Sequence, residues 1–151
     1  MNKMKSLLIF LSLFIFNIGI CFTTDIKNSA DAGDYVCQFI VGRAYEQGDG
    51  VRQNYEEALK WYEFSAHQDY APAQNNLGSL YDRGLGTEKN YQEALKWYRK
   101  AADNDQPNAQ YNLGRLYEYG LGVDINWRKA AYWYQRANDQ GIPLLPHQIR
   151  D

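Results

Sequence analysis

A chain of 151 residues with 16 basic and 18 acidic side chains, and so a net charge of −2, has room for one domain and a short leader. That balance gives no basic surface on which nucleic acid or an anionic membrane would be held, so no nucleic-acid partner is expected. Its 13 tyrosines and 4 tryptophans all lie beyond residue 34, which places the fold-forming part of the chain there.

The first 22 residues stand apart. Lys3 and Lys5 precede an uncharged apolar run over residues 7–22. This is the plan of a secretory signal peptide, and it is shorter than a membrane-spanning helix needs. Gly19 and Cys21 supply small residues at −3 and −1, so export is expected to remove residues 1–21. The protein would then be secreted or periplasmic, and losing Lys3 and Lys5 takes its charge from −2 to −4. The alternative is a retained leader or an acylated Cys21, either of which would anchor the chain to a membrane, although Ile20 is bulky for a lipoprotein signal. Residues 22–32 are polar and read as a linker. Cys37 is then the one cysteine left, unable to form an intrachain disulfide, and reads as a small core residue.

Beyond the linker the chain repeats itself every 36 residues. Stacking 37–72, 73–108 and 109–144 gives nine columns identical in all three copies. They include Gln38/Gln74/Gln110, Gly42/Gly78/Gly114, Tyr45/Tyr81/Tyr117, Asn54/Asn90/Asn126, Trp61/Trp97/Trp133 and Tyr62/Tyr98/Tyr134. Such self-similarity marks a repeat array. Residues 30–33 already echo 66–69 in phase, so the array starts close behind the linker.

Each copy predicts two helices. In the second copy a first helix spans about 72–82, with Ala73, Leu77, Leu80 and Tyr81 at helical spacing. Gly84 closes it, because glycine takes the left-handed conformation of a helix C-terminus. Asn90 then caps a second helix, with Glu93 three residues on as in a capping box; Asn54 and Glu57 repeat the pattern. The third copy has Arg128 and Lys129 in that first turn, cations that oppose the helix dipole. Gly42, Gly78 and Gly114 sit inside first helices, where glycine costs about 1 kcal/mol against alanine. That cost implies close packing of a backbone or a large ring, with the alanine columns leaving room for the Trp and Tyr columns.

Residues 109–137, "AQYNLGRLYEYGLGVDINWRKAAYWYQRA", resemble the Sel-1-like repeat, an α-helical relative of the tetratricopeptide repeat. Ala, Leu-Gly, Tyr, Gly-x-Gly, Ala and Trp-Tyr match at their spacing in three copies. The resemblance covers about residues 30–141. It implies an all-α, right-handed α-solenoid of three helix-turn-helix repeats over 33–141, followed by a tail at 142–151. It also implies a protein–protein interaction module that uses no cofactor. Val41, Asp49 and Thr87 depart from the family pattern, as do Asp69 and Asp105 where the family has glycine.

Little in the chain points to chemistry. A nucleotide-binding glycine loop follows a strand and opens a helix; Gly84-Leu85-Gly86 follows a helix and reads as a structural turn. His67 and His147 are the only imidazoles, and no metal-ligand spacing accompanies them. The five serines form neither Ser-x-x-Lys nor Gly-x-Ser-x-Gly. The rival reading is a secreted β-lactamase-like hydrolase, as described for cysteine-rich relatives whose helix pairs are stapled by disulfides.

The first-helix columns that vary are the candidate site. They are Phe39/Asn75/Tyr111, Ile40/Asn76/Asn112, Arg43/Ser79/Arg115 and Glu46/Asp82/Glu118. Spacings of i, i+4 and i+7 put these positions on one helical face. Stacked copies would join them into a concave surface for a protein or peptide partner. The competing reading is ordinary solvated helix surface. Phe39, Ile40 and Tyr111 favour the groove, as costly exposed choices unless something covers them.

Overall fold

The computed structural model describes residues 25–145. The leader at 1–21, the start of the linker and tail residues 146–151 lie outside the described residues. After a short helix at 25–31, six longer helices follow one another: α1 Tyr35–Gln47, α2 Tyr55–Ala66, α3 Ala71–Arg83, α4 Tyr91–Asp103, α5 Pro107–Tyr119 and α6 Trp127–Asp139. Each packs against its neighbours in the chain, so α1–α2, α3–α4 and α5–α6 stack as three pairs in an α-solenoid. No strand occurs among the described residues. One expectation changes: residues 25–31, read as linker, are helical. Ala30 there is buried against Val41 and Trp61, in the place that Ala66 and Ala102 hold further on. This mostly polar stretch becomes helix because Ala30, with Ile26 beside it, docks on the first pair.

The caps set the boundaries. Gly48, Gly84 and Gly120 end α1, α3 and α5 with φ of +75°, +69° and +67°. Asn54 and Asn90 each accept from two first-turn amides of α2 and α4, while Asn126 accepts only from Lys129 in α6. The expected capping box is half formed. Asn90 gives its own N–H to the Tyr81 carbonyl at 2.9 Å, as Asn54 does to Tyr45 and Asn126 to Tyr117. Glu93 and Glu57 therefore turn outward to Lys96 and Lys60. Past the second helices the chain reverses at Asp69, Asp105 and Gly141, with φ of +60°, +57° and +92°. This left-handed turn is where the family has glycine.

The core forms in three clusters, two straddling the junctions between pairs and one between helix 25–31 and the first pair. Trp97 packs back onto Ala58, Tyr62, Ala66, Ala73, Leu77 and Leu80 of the preceding pair and its neighbour. The glycines inside the first helices lie under rings: a Cβ on Gly42, Gly78 or Gly114 would fall 2.7–2.8 Å from the ring of Tyr62, Tyr98 or Tyr134. Large side chain over small backbone is thus the contact within each pair. Cys37 differs from its counterparts Ala73 and Ala109 in being half-buried. Burial and the nearby Asp34 carboxylate push its thiol above the ordinary range, which disfavours the thiolate. Leu144 of the tail packs against the C-terminal cluster.

The buried glutamines tie each pair to the helix before it. Gln38, Gln74 and Gln110 donate to the carbonyls of Ala30, Ala66 and Ala102 at 3.1–3.3 Å. Gln68 and Gln140 then donate to the free oxygens of Gln38 and Gln110 at 2.9 and 2.8 Å. Between them the same column holds Asn104, one methylene shorter. Gln74 Oε1 is accordingly the one buried side-chain polar atom without a partner among the described residues. Supplying the missing donor should help. Asn104→Gln is expected to raise stability by about 1 kcal/mol, seen as a melting point a few degrees higher; no gain would show that the Gln74 oxygen is already satisfied.

Candidate functional site

The twelve residues of the candidate columns sit on α1, α3 and α5, and hydrogen bonds link most of them. Tyr62 donates to Glu46 at 2.6 Å and accepts from Asn76 at 3.0 Å. Asn75 donates to Asn76, and Asn112 donates across the junction to Asn75, both at 3.2 Å. On the same face Arg115 reaches back to Asp82, which also accepts from Tyr98 at 3.3 Å. Tyr134 donates to Glu118 at 2.6 Å. The third and second pairs are therefore joined directly, and the second joins the first through Tyr62.

Burial separates the candidates. Ile40 is 40% exposed and Arg43 is exposed. Glu118 is buried, at 5% exposure, so it belongs to the wall and not to an open surface. Phe39 and Tyr111 are half-covered. Phe39 lies 5.8 Å from the Tyr62 ring and 5.3 Å from Tyr70, and Tyr111 lies 5.3 Å from Tyr134. Ile40 is thus a costly exposed apolar choice, whereas Phe39 is covered by Tyr62 of α2 and by Tyr70 just before α3, and Tyr111 by Tyr134 of α6.

Those tyrosine hydroxyls escaped the sequence reading, which took them as core. The available signal was the acid at Glu46, Asp82 and Glu118, always 16 residues before Tyr62, Tyr98 and Tyr134. Burial first, then the accepting carboxylate, pushes the Tyr62 and Tyr98 phenols well above their ordinary range. Burial and Glu63 raise Tyr81 to about 12. Groups held neutral in this way are fixed hydrogen-bond donors. No cluster of three metal-ligating side chains occurs among the described residues, and no described helix is long and apolar enough to cross a membrane. What this face offers is a row of amides, rings and one open cation, which suits recognition of another chain.

The sequence matches the Sel1 repeat three times, over residues 36–70, 71–106 and 107–142. The chain belongs to the Sel1 repeat family. Sel1 repeats generally mediate protein–protein interaction, and their fold is typically a non-enzymatic scaffold. Among solved structures, the chain is similar to a Sel1 repeat protein from Oxalobacter formigenes at 41% identity and a TM-score of 0.70, over 72% of this chain and 43% of that one. It is also similar to a protective antigen present in uropathogenic Escherichia coli strains, at 33% identity and a TM-score of 0.76, over 78% and 25%. The chain thus spans about a quarter and under half of these two proteins. Cysteine rich protein B of Helicobacter pylori, at 20% identity and a TM-score of 0.63 over 80% and 91%, shares the fold, and at that identity nothing more is carried. No curated protein matches. The family match starts each Sel1 repeat one or two residues before the 37–72 frame, which agrees with helices that begin at Tyr35, Ala71 and Pro107.

Proposed function

We propose that this Sel1 repeat protein is an exported interaction module that binds an extended peptide or protein segment on the concave face built by α1, α3 and α5. The observation that supports it most is the polar row Glu46–Tyr62–Asn76–Asn75–Asn112. It fixes side-chain amides side by side along the columns where the copies differ. The row is held by its own hydrogen bonds, so little ordering is needed on binding. Each NH2 has two hydrogens and donates one within the row, which leaves the other for a partner.

The test removes amides in a pair. Asn75→Ala with Asn112→Ala deletes both ends of one bond, and the Asn76 oxygen that loses its donor is half-exposed and open to water, so the helical circular dichroism and melting point should hold. Binding to a co-purifying partner should fall by about tenfold or more. Retained binding with the fold intact would put the partner elsewhere. The location has its own test: intact mass of the exported protein should show residues 1–21 gone, and a full-length species in the membrane fraction would replace the cleaved form by an anchored one.

A further inference from the structure

On that reading of the face, we propose that the partner segment is acidic, with a carboxylate held by Arg43 and an aliphatic side chain seated on Ile40 at the α1 end. The inference comes from which charges on the face are already spent. Its carboxylates are turned inward. Glu118 is 5% exposed and takes the Tyr134 hydroxyl. Asp82, with its side chain 11% exposed, takes Arg115 and Tyr98. Glu46 is half-buried and takes Tyr62. Of the two cations, Arg115 is paired to Asp82. Among the candidate residues Arg43 alone is an exposed cation that makes no ion pair among the described residues.

The guanidinium is also positioned. It lies 5.9 Å from the Phe39 ring, whose other neighbours are the Tyr62 and Tyr70 rings. A guanidinium resting on a ring keeps its planar fork for a carboxylate, which it can grip with two parallel hydrogen bonds. Ile40, one turn before Arg43, is the candidate face's exposed aliphatic residue. In the same column as Arg43 the second copy has Ser79 and the third has the paired Arg115, so within this column the accessible positive charge lies at the α1 end of the amide row. A peptide backbone along Asn76, Asn75 and Asn112 would therefore be read in one direction, its acid at α1.

A random peptide library displayed on phage and selected on the full chain tests this, with bound peptides mapped by amide shifts. The expected motif is an acidic residue beside an aliphatic one. For the selected peptide, Arg43→Gln should weaken binding about tenfold. Replacing the peptide's acid by its amide should cost the same, both changes together should cost no more, and Arg43→Lys should recover part. Peptides that map to α1, α3 and α5 but lack an acid, or ignore Arg43→Gln, overturn this inference and leave the face standing. Peptides that map to α2, α4 and α6, or no enrichment above background, overturn both.

Discussion

Trp97→Ala is expected to lower the unfolding free energy by about 3–5 kcal/mol, and Trp127→Ala by under about 1 kcal/mol. Trp97 is 3% exposed and fills the central cluster between the first two pairs. The edge of His67 lies 5.3 Å from its ring, and Lys96 and Lys100 lie 5.2 and 5.0 Å from it. Removing it leaves a cavity at a junction that has no other large apolar residue from α4 to close it. Trp127 opens α6 and is 49% exposed, so its removal uncovers little. Urea unfolding of the two variants measures the difference. In an array whose pairs touch only their neighbours, loss at the central junction should also uncouple its halves, which would broaden the Trp97→Ala transition. Midpoints in the reverse order would refute the junction packing.

Most of the fold could be read because the chain states it three times. A cap asparagine, a glycine under a ring and a closing Gly-x-Gly are each weak signals alone, yet a 36-residue recurrence makes chance agreement improbable. Two of the features that escaped do not recur. Helix 25–31 belongs to no full copy, and only Ala30 carried its trace. The pair Arg115–Asp82 joins different columns of successive copies, so stacking identical positions could not show it. The half-formed capping box failed for another reason. A motif names possible partners, but Asn90 has one N–H, and Tyr81 in the preceding helix takes it. The candidate face was legible as columns on one side of α1, α3 and α5. How open each position would be depended on rings outside the first helices, from Tyr62 and Tyr134 of the second helices and from Tyr70 just before α3. Cover for Phe39 by Tyr62 and Tyr70, and for Tyr111 by Tyr134, is a tertiary fact with no sequence spacing of its own.

The two glycines of each closing loop have different tasks, and alanine substitution should separate them. Gly84 has φ of +69°, and an added Cβ would lie 3.2 Å from Lys89. Gly84→Ala therefore costs mainly the left-handed backbone of one L-residue, about 1–2 kcal/mol. Gly86 has a similar φ of +72°, but its Cβ would lie 2.4 Å from the carbonyl carbon and oxygen of Tyr55, at the start of α2. Neither atom belongs to a flexible side chain, so the second loop and the first pair must move apart. Overpacking of that kind adds about 1–3 kcal/mol. Gly86→Ala should then cost about 2–5 kcal/mol in total, twice or more the cost of Gly84→Ala. Gly122 makes the same approach to Tyr91, at 2.6 Å, so Gly122→Ala should weaken the next junction alike. Scanning calorimetry would show Gly86→Ala melting earlier and less cooperatively, as the first pair comes loose from the other two. Equal melting points for Gly84→Ala and Gly86→Ala would mean that the loop only turns the chain and does not dock one pair on the next.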